Sequence, residues 1–305
     1  MVRQLARKMT AGMGITTAIE ITWARRRHLP LIESATPISV GMGSVDIRMP
    51  LQHKRILEGI WGLYSFVRFA AKPCRVFIHS DGSLSDQDLE LIEKVLPGCW
   101  VISPASAERT VVDRLKGRNL AFCAEQRSRS QLSLHLLDPL ILSDGSPFVF
   151  LDSDVLIFSC PKELVEAERA SCLYTHEPLR DYSLTESEMR HLDSHALDGN
   201  LDGALLRVDP SKIDLQRVES HLRHPSFWRD KAPHTRLVQT IWALEFGRLG
   251  ATRLPDSYGV CPSQLGAAEL TSGHYGGADV GSALYYTHAI PYLAQIFFGG
   301  QTTLR

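Results

Sequence analysis

The sequence has no excess of either charge and no long apolar run. Its 33 Lys and Arg residues nearly balance its 34 Asp and Glu residues, so no global field draws the protein to nucleic acid. An anionic ligand must therefore be captured by local groups or by a metal. No stretch approaches the roughly 18 to 20 apolar residues that a membrane-spanning helix needs. We therefore expect neither a nucleic-acid-binding protein nor an integral membrane protein.

Cysteine is sparse and scattered. The six cysteines contain no CxxC pair and no dense framework, so reduced, buried thiols are the simplest interpretation. The N-terminus also lacks the apolar core and the small-residue cleavage site of a signal peptide. These absences predict a cytoplasmic protein. With 44% hydrophobic and 22% charged residues over 305 positions, the chain can bury the core of one large α/β domain.

Basic residues are concentrated at the N-terminus, which we interpret as a basic extension over residues 1–34. Glu20 is the single acid among the first 30 residues. The basic residues of this segment are Arg3, Arg7, Lys8, Arg25, Arg26 and Arg27. Segments of this kind can lie on anionic membranes, which predicts peripheral contact with the inner face of the membrane. A poorly ordered or loosely docked extension is the alternative.

From residue 35 onward, helix and strand patterns alternate. Apolar residues recur at three- and four-residue spacing between residues 52 and 70, as one face of a helix requires. Helices are also predicted over 85–96, 131–142 and 235–246, and strands over 38–40, 74–79, 99–102, 148–151, 203–208 and 284–288. The alternation predicts an open, mostly parallel α/β sheet flanked by helices, in a single domain over residues 35–305.

Two acids follow the most apolar of these strands. Asp152 and Asp154 come directly after the run from Phe148 to Leu151. Side chains two positions apart on an extended chain face the same way, with roughly 7 Å between Cα atoms, so both can reach one cation. Ligands of open α/β sheets gather beyond the carboxyl ends of the strands. Oxygen ligands of this kind predict Mn²⁺ or Mg²⁺ rather than zinc.

The segment FVFLDSDVLIF, over residues 148–158, resembles the apolar strand and DxD motif of the GT-A fold nucleotide-sugar glycosyltransferases. The resemblance implies a Rossmann-like catalytic domain with a nucleotide-binding half over 35–160 and an acceptor half over 161–305. It also implies transfer of a sugar, in the manner of a hexosyltransferase. The donor would be a nucleotide-diphosphate sugar, and the acceptor a hydroxyl of a glycan, a lipid or a small molecule.

The same resemblance implies roles for residues of the nucleotide-binding half. Asp81, in the loop that follows the second strand, corresponds to an acid that contacts the nucleoside. Arg127 and Arg129 precede the helix leading to the DxD strand, where basic residues of the family touch the base or the diphosphate. An ordinary turn capped by Asp81 and a solvated, charged loop are the alternatives.

In the acceptor half, residues 200–206 resemble the family's N-x-G-hydrophobic segment, which lies against the donor sugar. Asn200 stands three rather than two positions before Gly203, and Asp202 is the candidate for the polar role. Gln239 corresponds to a position beneath the reacting centre that is acidic in many inverting members. Because glutamine cannot take a proton, this residue favours a retaining reaction.

A late histidine completes the expected site. His288, in the segment Tyr285 to Tyr292, corresponds to a residue that completes the metal site or touches the diphosphate. The glycine and lysine expected after it are absent. His274, followed by two glycines, competes with His288 for this role.

Two other classes of protein fit part of this pattern. A haloacid-dehalogenase-like phosphatase also places DxD after an apolar strand and uses the first Asp as nucleophile, together with a later lysine and an acidic pair. Over a hundred residues of α/β pattern precede Asp152, which disfavours that class. A non-catalytic nucleotide-sugar-binding relative is the other alternative, and simple strand-end caps are a third interpretation of the two acids.

Overall fold

The computed structural model describes residues 15–129, 133–166, 172–178, 182–195, 197, 199–228, 234–262, 270–276 and 280–299. Within these ranges the strands are β1 (Val45–Leu51), β2 (Cys74–Ser80), β3 (Trp100–Ile102), β4 (Phe148–Leu151), β5 (Val155–Ile157), β6 (Leu173–His176), β7 (Leu201–Val208), β8 (Thr252–Arg253), β9 (Tyr258–Val260) and β10 (Ser272–His274).

The α-helices of the same ranges are α1 (Ile15–His28), α2 (Ile56–Ala70), α3 (Asp86–Val95), α4 (Pro104–Gly117), α5 (Ala121–Arg129), α6 (Asp138–Leu142), α7 (Lys162–Glu166), α8 (Glu186–Leu192), α9 (Leu215–Arg223), α10 (His234–Leu249), α11 (Val280–Leu284) and α12 (Ile290–Phe298). Single π-helical segments precede α6 (Ser133–Leu137) and α12 (Tyr285–Ala289). Short 3₁₀ helices span Leu29–Ser34, His53–Arg55, Pro210–Lys212 and Pro225–Trp228.

Seven strands form one sheet in the order β3-β2-β1-β4-β7-β6-β8. The pairs β1/β2, β2/β3, β1/β4 and β6/β8 are parallel, and β7 is antiparallel to both of its neighbours. The prediction of a mostly parallel α/β sheet flanked by helices is therefore confirmed. Because β7 runs against β4 and β6, its amino end meets their carboxyl ends at one edge of the sheet.

The apolar run of β4 is explained by burial on both faces of this sheet. Val149 and Leu151 belong to the core on one face, and Phe148 and Phe150 to the core on the other. Alternate residues of a strand point to opposite faces, so a strand covered on both sides is apolar throughout.

The first strand of the described residues is β1, which begins at residue 45, and the strand predicted over residues 38–40 is absent. That stretch is not a strand, although the amide of Ile38 donates to Val95 O and that of Val40 to Pro97 O. Within residues 45–51 the apolar side chains alternate with Asp46, Arg48 and Pro50, and all seven residues are buried. Asp46 is buried because its carboxylate pairs with Arg75, and Arg48 because its guanidinium stacks on Phe77.

The strand predicted over residues 284–288 is also wrong, because this stretch is helical. Leu284 ends α11, and a π-helical segment continues into α12. The buried residues at this junction, Tyr285, Ala289, Ile290 and Leu293, recur at helical spacing. The run of two tyrosines and a threonine favours a strand locally, but the longer apolar period decides the structure.

The N-terminal residues that are described belong to the folded domain. Ile21 and Ile32 are fully buried, and they pack in the same core as the residues of β1 and α2. Arg25 of α1 forms an ion pair with Glu58 of α2 at 3.1 Å. The boundary predicted at residue 35 therefore does not separate α1 from the domain. Among the described residues, no helix has the length and apolar character to cross a bilayer.

Candidate active site

The two acids after β4 lie on a tight turn between β4 and β5. The amide of Asp152 donates to Ala204 O at 2.8 Å, which extends the pairing of β4 with β7 by one residue. The amide of Val155 then donates to Asp152 O at 3.2 Å and closes the turn. Helix α2 packs on this turn at Gly62, where an added Cβ would lie 2.8 Å from Val155 O. The turn is thus fixed from two sides.

A second, three-stranded sheet brings His274 to the acids. Strand β10 pairs antiparallel with β5, and His274 is the partner of Val155 in this register. The amide of Tyr275 also donates to Asp154 O at 3.1 Å. This pairing joins residues that are far apart in the sequence and places the imidazole beside Asp154.

The imidazole of His274 lies between two carboxylates. Its Nδ1 is 2.7 Å from Oδ2 of Asp202, and its Nε2 is 3.4 Å from Oδ1 of Asp154. Asp202 is itself held by the amide of Ala204, which donates to its Oδ1 at 3.1 Å. A carboxylate bound to Nδ1 fixes the tautomer and the orientation of the ring, and it leaves Nε2 directed at the acids of the turn.

Burial and mutual interactions shift the pKa values of His274, Asp152 and Asp154. Burial acts to lower the pKa of His274, but the charges and hydrogen bonds of Asp202 and Asp154 outweigh it and hold the pKa well above its usual value. Burial raises the pKa of Asp152, and the charge of Asp154 adds to this effect. For Asp154 burial acts in the same direction, but His274 and Arg55 outweigh it and hold the pKa below its usual value. Without a cation, the two acids therefore repel each other.

These groups open into a cavity of about 380 Å³ at the carboxyl edge of β4 and β6. Its described lining residues are His135, Asp152, Asp154, Glu177, Asp202, Gly203, Ala204, Val238, Gln239, Val260, His274 and Gly276. Four of them are carboxylates and none is Lys or Arg, so the described wall is acidic. A phosphatase of the haloacid-dehalogenase kind needs a lysine beside its acids, and this lining offers none among the described residues.

Five of the residues predicted for the site line this cavity: Asp152, Asp154, Asp202, Gly203 and Gln239. Gln239 projects from α10 beneath Gly203, where an added Cβ would lie 3.8 to 3.9 Å from its atoms. Asp202 lines the cavity, but it is only 2% exposed and it is bound to His274. Asn200 is half-buried and does not line the cavity; its carbonyl accepts from the amide of Glu177.

Arg127 does not reach the cavity. Its Nε and Nη2 donate to the two carboxylate oxygens of Asp138 at 3.1 and 2.9 Å, and both side chains are buried. This bidentate pair fastens α5 to α6 and holds the guanidinium of Arg127 away from the cavity. The contact of Arg127 with the base or diphosphate stays a prediction. The side chain of Arg129 lies outside the described residues.

Asp81 follows β2 at the same edge of the sheet, but it forms a turn. Its Oδ1 accepts from the amide of Ser83 at 2.9 Å and from the Ser83 hydroxyl at 2.5 Å. This is the capped turn that the sequence left as the alternative. Asp81 is not among the lining residues of the cavity.

His288 lies on the π-helical segment before α12 rather than on a strand. Its side chain is exposed, and its Nδ1 is 2.7 Å from the Thr287 hydroxyl. His274 lines the cavity and His288 does not. Of the two histidines that the sequence left in competition, His274 is the one placed beside the acids.

Sequence reasoning missed Glu177 and His135 as cavity residues. Glu177 directly follows β6, which is parallel to β4 through their shared antiparallel neighbour β7. Its carboxylate therefore arrives at the same edge as Asp152. The available signal was weak, because Thr175 and His176 separate Glu177 from the short apolar run Cys172 to Tyr174. His135 lies in the π-helical turn before α6, within a predicted apolar helix, and no sequence pattern distinguishes it.

The site fits a divalent cation by its donor types rather than as a ready-made cage. Within the described ranges, no group of three or more His, Cys, Asp or Glu side chains is arranged to hold a metal ion. Oδ1 of Asp154 is nevertheless buried, and its described polar neighbour is Nε2 of His274 at 3.4 Å, a contact without good hydrogen-bond geometry. Asp152 stands two residues away. Mg²⁺-like cations are commonly held by one or two carboxylates, with substrate phosphates and water completing the shell. The donor types thus suit a divalent cation whose remaining ligands come from outside the described residues.

Comparisons with known proteins give matches of fold but not of sequence. No protein-family model matches the chain, and no curated protein matches it significantly. The apo form of mouse xyloside xylosyltransferase 1 is similar, with 16% identity and a TM-score of 0.45 over 83% of this chain and 94% of that one. The apo structure of the bifunctional glycosyltransferase WbbM has 12% identity and a TM-score of 0.48 over 84% of this chain and 51% of that one.

Both of these proteins are glycosyltransferases. Identities this low concern the class of fold, and both TM-scores lie below 0.5. The function proposed below therefore rests on the residues and the geometry of the cavity.

Proposed function

We propose that this chain is a metal-dependent glycosyltransferase that moves a sugar from a nucleotide-diphosphate sugar to an acceptor hydroxyl. One observation carries the proposal: Asp152, Asp154 and His274 converge on one cavity beyond the carboxyl end of β4. The volume of about 380 Å³ lies within the range of about 300 to 1,000 Å³ that is typical of small-molecule sites.

The charge of the cavity supports a cation. Four carboxylates line it, while the described lining includes two histidines and no Lys or Arg. A nucleotide diphosphate carries negative charge and would be repelled by this wall. Binding such a donor requires positive charge between the phosphates and the acids, and Mn²⁺ or Mg²⁺ supplies it with the preferred oxygen ligands.

The chain's own residues would hold and orient the reacting groups. Asp152 and Asp154 would hold the cation, and when bound it would stabilise the charge that develops on the leaving nucleoside diphosphate. Asp202 fixes the ring of His274, so that Nε2 faces Asp154. Arg55, whose charge helps to hold Asp154 ionised, keeps a carboxylate available as a ligand.

The donor sugar would lie against the part of the wall formed by Gly203 and Gln239. Gln239 cannot accept a proton, which favours retention of the anomeric configuration. Glu177 is the cavity carboxylate that would act as general base in an inverting reaction. The anomeric configuration of the product, measured by NMR, distinguishes a retaining from an inverting reaction. Retention is the outcome that Gln239 favours, and inversion would assign the general base to Glu177.

Replacing Asp154 with Asn tests the proposal. Each member of a panel of nucleotide-diphosphate sugars is incubated with the protein and Mn²⁺, and release of the nucleoside diphosphate is measured. A metal contributes several kcal/mol to such a reaction, so we expect the variant to lose at least about 100-fold in rate. Asp144→Asn is the matched control, because Asp144 is an exposed carboxylate that pairs with Arg114 outside the cavity.

An undiminished rate in Asp154→Asn, or a full rate of the wild-type protein in a chelator, would contradict the proposal. Heat stabilisation of the wild-type protein by a nucleoside diphosphate with Mn²⁺, without turnover of any donor, would instead identify a non-catalytic nucleotide-sugar-binding relative.

A further inference from the structure

Helix α1 has two distinct sides. Ala18, Ile21 and Ala24 are buried in the core, while Ile19 and Trp23 are 52% and 57% exposed. We call the exposed side the outer face of α1; it consists of Ile19, Glu20, Trp23, Arg26 and Arg27. At 100° per residue, these side chains occupy one continuous arc of the helix, opposite the buried residues. Ile19 and Trp23 are neighbours on this arc because they are four residues apart.

Positive charge borders the two apolar side chains. Arg26 and Arg27 lie on either side of them around the helix, and Glu20 is the acid of the outer face. The guanidinium of Arg27 lies over the Trp23 ring, 4.9 Å from its centroid. In the sequence, residues 1–14 contain Arg3, Arg7 and Lys8 and no acid. An exposed tryptophan within a basic surface is the combination found at the interface of anionic bilayers.

We propose that the outer face of α1 binds an anionic lipid surface, with Ile19 and Trp23 entering the headgroup region and Arg26 and Arg27 facing lipid phosphates. Tryptophan suits this position because its ring is apolar and its N–H is polar. A stable protein–protein interface buries about 800 Å² on each partner, far more than two apolar side chains supply. Lipid headgroups, in contrast, can accommodate a narrow apolar strip bordered by cations. The proposal is independent of the reaction at the cavity.

Cosedimentation with lipid vesicles tests this surface. The full chain is mixed with phosphatidylcholine vesicles that either contain or lack phosphatidylserine. We expect binding to the anionic vesicles, weakening at high salt, and a loss of about tenfold in affinity for Trp23→Ala. Trp100→Ala is the matched control, because Trp100 is also an exposed tryptophan, 44% exposed, but lies on the edge strand β3. Circular dichroism verifies that both variants are folded.

Three outcomes would overturn the proposal. The wild-type protein fails to bind anionic vesicles, or Trp23→Ala binds them as tightly as the wild type does. In the third outcome, light scattering shows that Trp23→Ala changes the oligomeric state, which would make the outer face of α1 a contact between copies of the chain. A charge-reversed variant, Glu20→Lys, adds a cation to the same face and is expected to tighten binding to the anionic vesicles alone.

Discussion

Replacing Asp202 with Asn tests whether this carboxylate holds His274 in place and protonated. Asp202 is 2% exposed and accepts from two groups: His274 Nδ1 at its Oδ2 and the Ala204 amide at its Oδ1. Asparagine has one side-chain oxygen, so its NH₂ group must face one of these two donors. The variant therefore removes the charge beside the imidazole and leaves one buried donor unsatisfied.

The expected loss of stability depends on pH, and its sign follows from the raised pKa of His274. Stabilisation by a protonated histidine is fully present below its unfolded pKa of about 6.5 and is lost as the pH rises through the folded pKa. Breaking a buried ion pair costs about 3–5 kcal/mol, and His274 is only 16% exposed. Above the folded pKa, an unsatisfied donor alone costs about 1–3 kcal/mol.

Thermal unfolding in the presence of a chelator measures how much stability Asp202→Asn loses at each pH. At about 2–4 °C per kcal/mol, Asp202→Asn should lower Tm by roughly 10 °C at mildly acidic pH and by about half of that at strongly alkaline pH. Asp81→Asn is the control, since Asp81 binds Ser83 rather than a histidine. A Tm difference for Asp202→Asn that is constant, or that grows as the pH rises, would refute the coupling.

Two further substitutions separate residues of the cavity from residues of the scaffold. Gly203→Ala should fold with unchanged or slightly higher stability, because the new Cβ meets Gln239 at 3.8 Å or more. It should nevertheless narrow the cavity and so raise the KM for the donor, measured by the same release of nucleoside diphosphate. Arg127→Met should lower the free energy of unfolding by about 3–5 kcal/mol, because it leaves the fully buried carboxylate of Asp138 without its ion-pair partner. An unchanged stability with a specific loss of donor binding would instead show that Arg127 binds the donor.

Local sequence signals were sufficient to predict β4, the strand that precedes the DxD motif. Phe148 to Leu151 is apolar because both faces of β4 are covered, and the two acids mark where that cover ends. The seven-residue strand β1 was missed because Asp46, Arg48 and Pro50 interrupt its apolar residues. Only tertiary contacts make those residues compatible with a central strand, such as the ion pair between Arg75 and Asp46 and the stacking of Arg48 on Phe77. Sequence patterns do not report such contacts.

The choice between His274 and His288 could not be made from the sequence for a related reason. It depends on the pairing of β10 with β5, two three-residue strands whose periodicity is too short to detect. It also depends on the helical continuation that carries His288 to an exposed position. Both are effects of packing between distant segments.

The pairing of β5 with β10 has a consequence for the order in which the site forms. His274 follows Asp154 by 274 − 154 = 120 residues, so a chain emerging from the ribosome carries the acids long before their partner. Contacts of such sequence separation form late in folding, because loop closure must precede them. The site is therefore complete only when β10 has paired with β5.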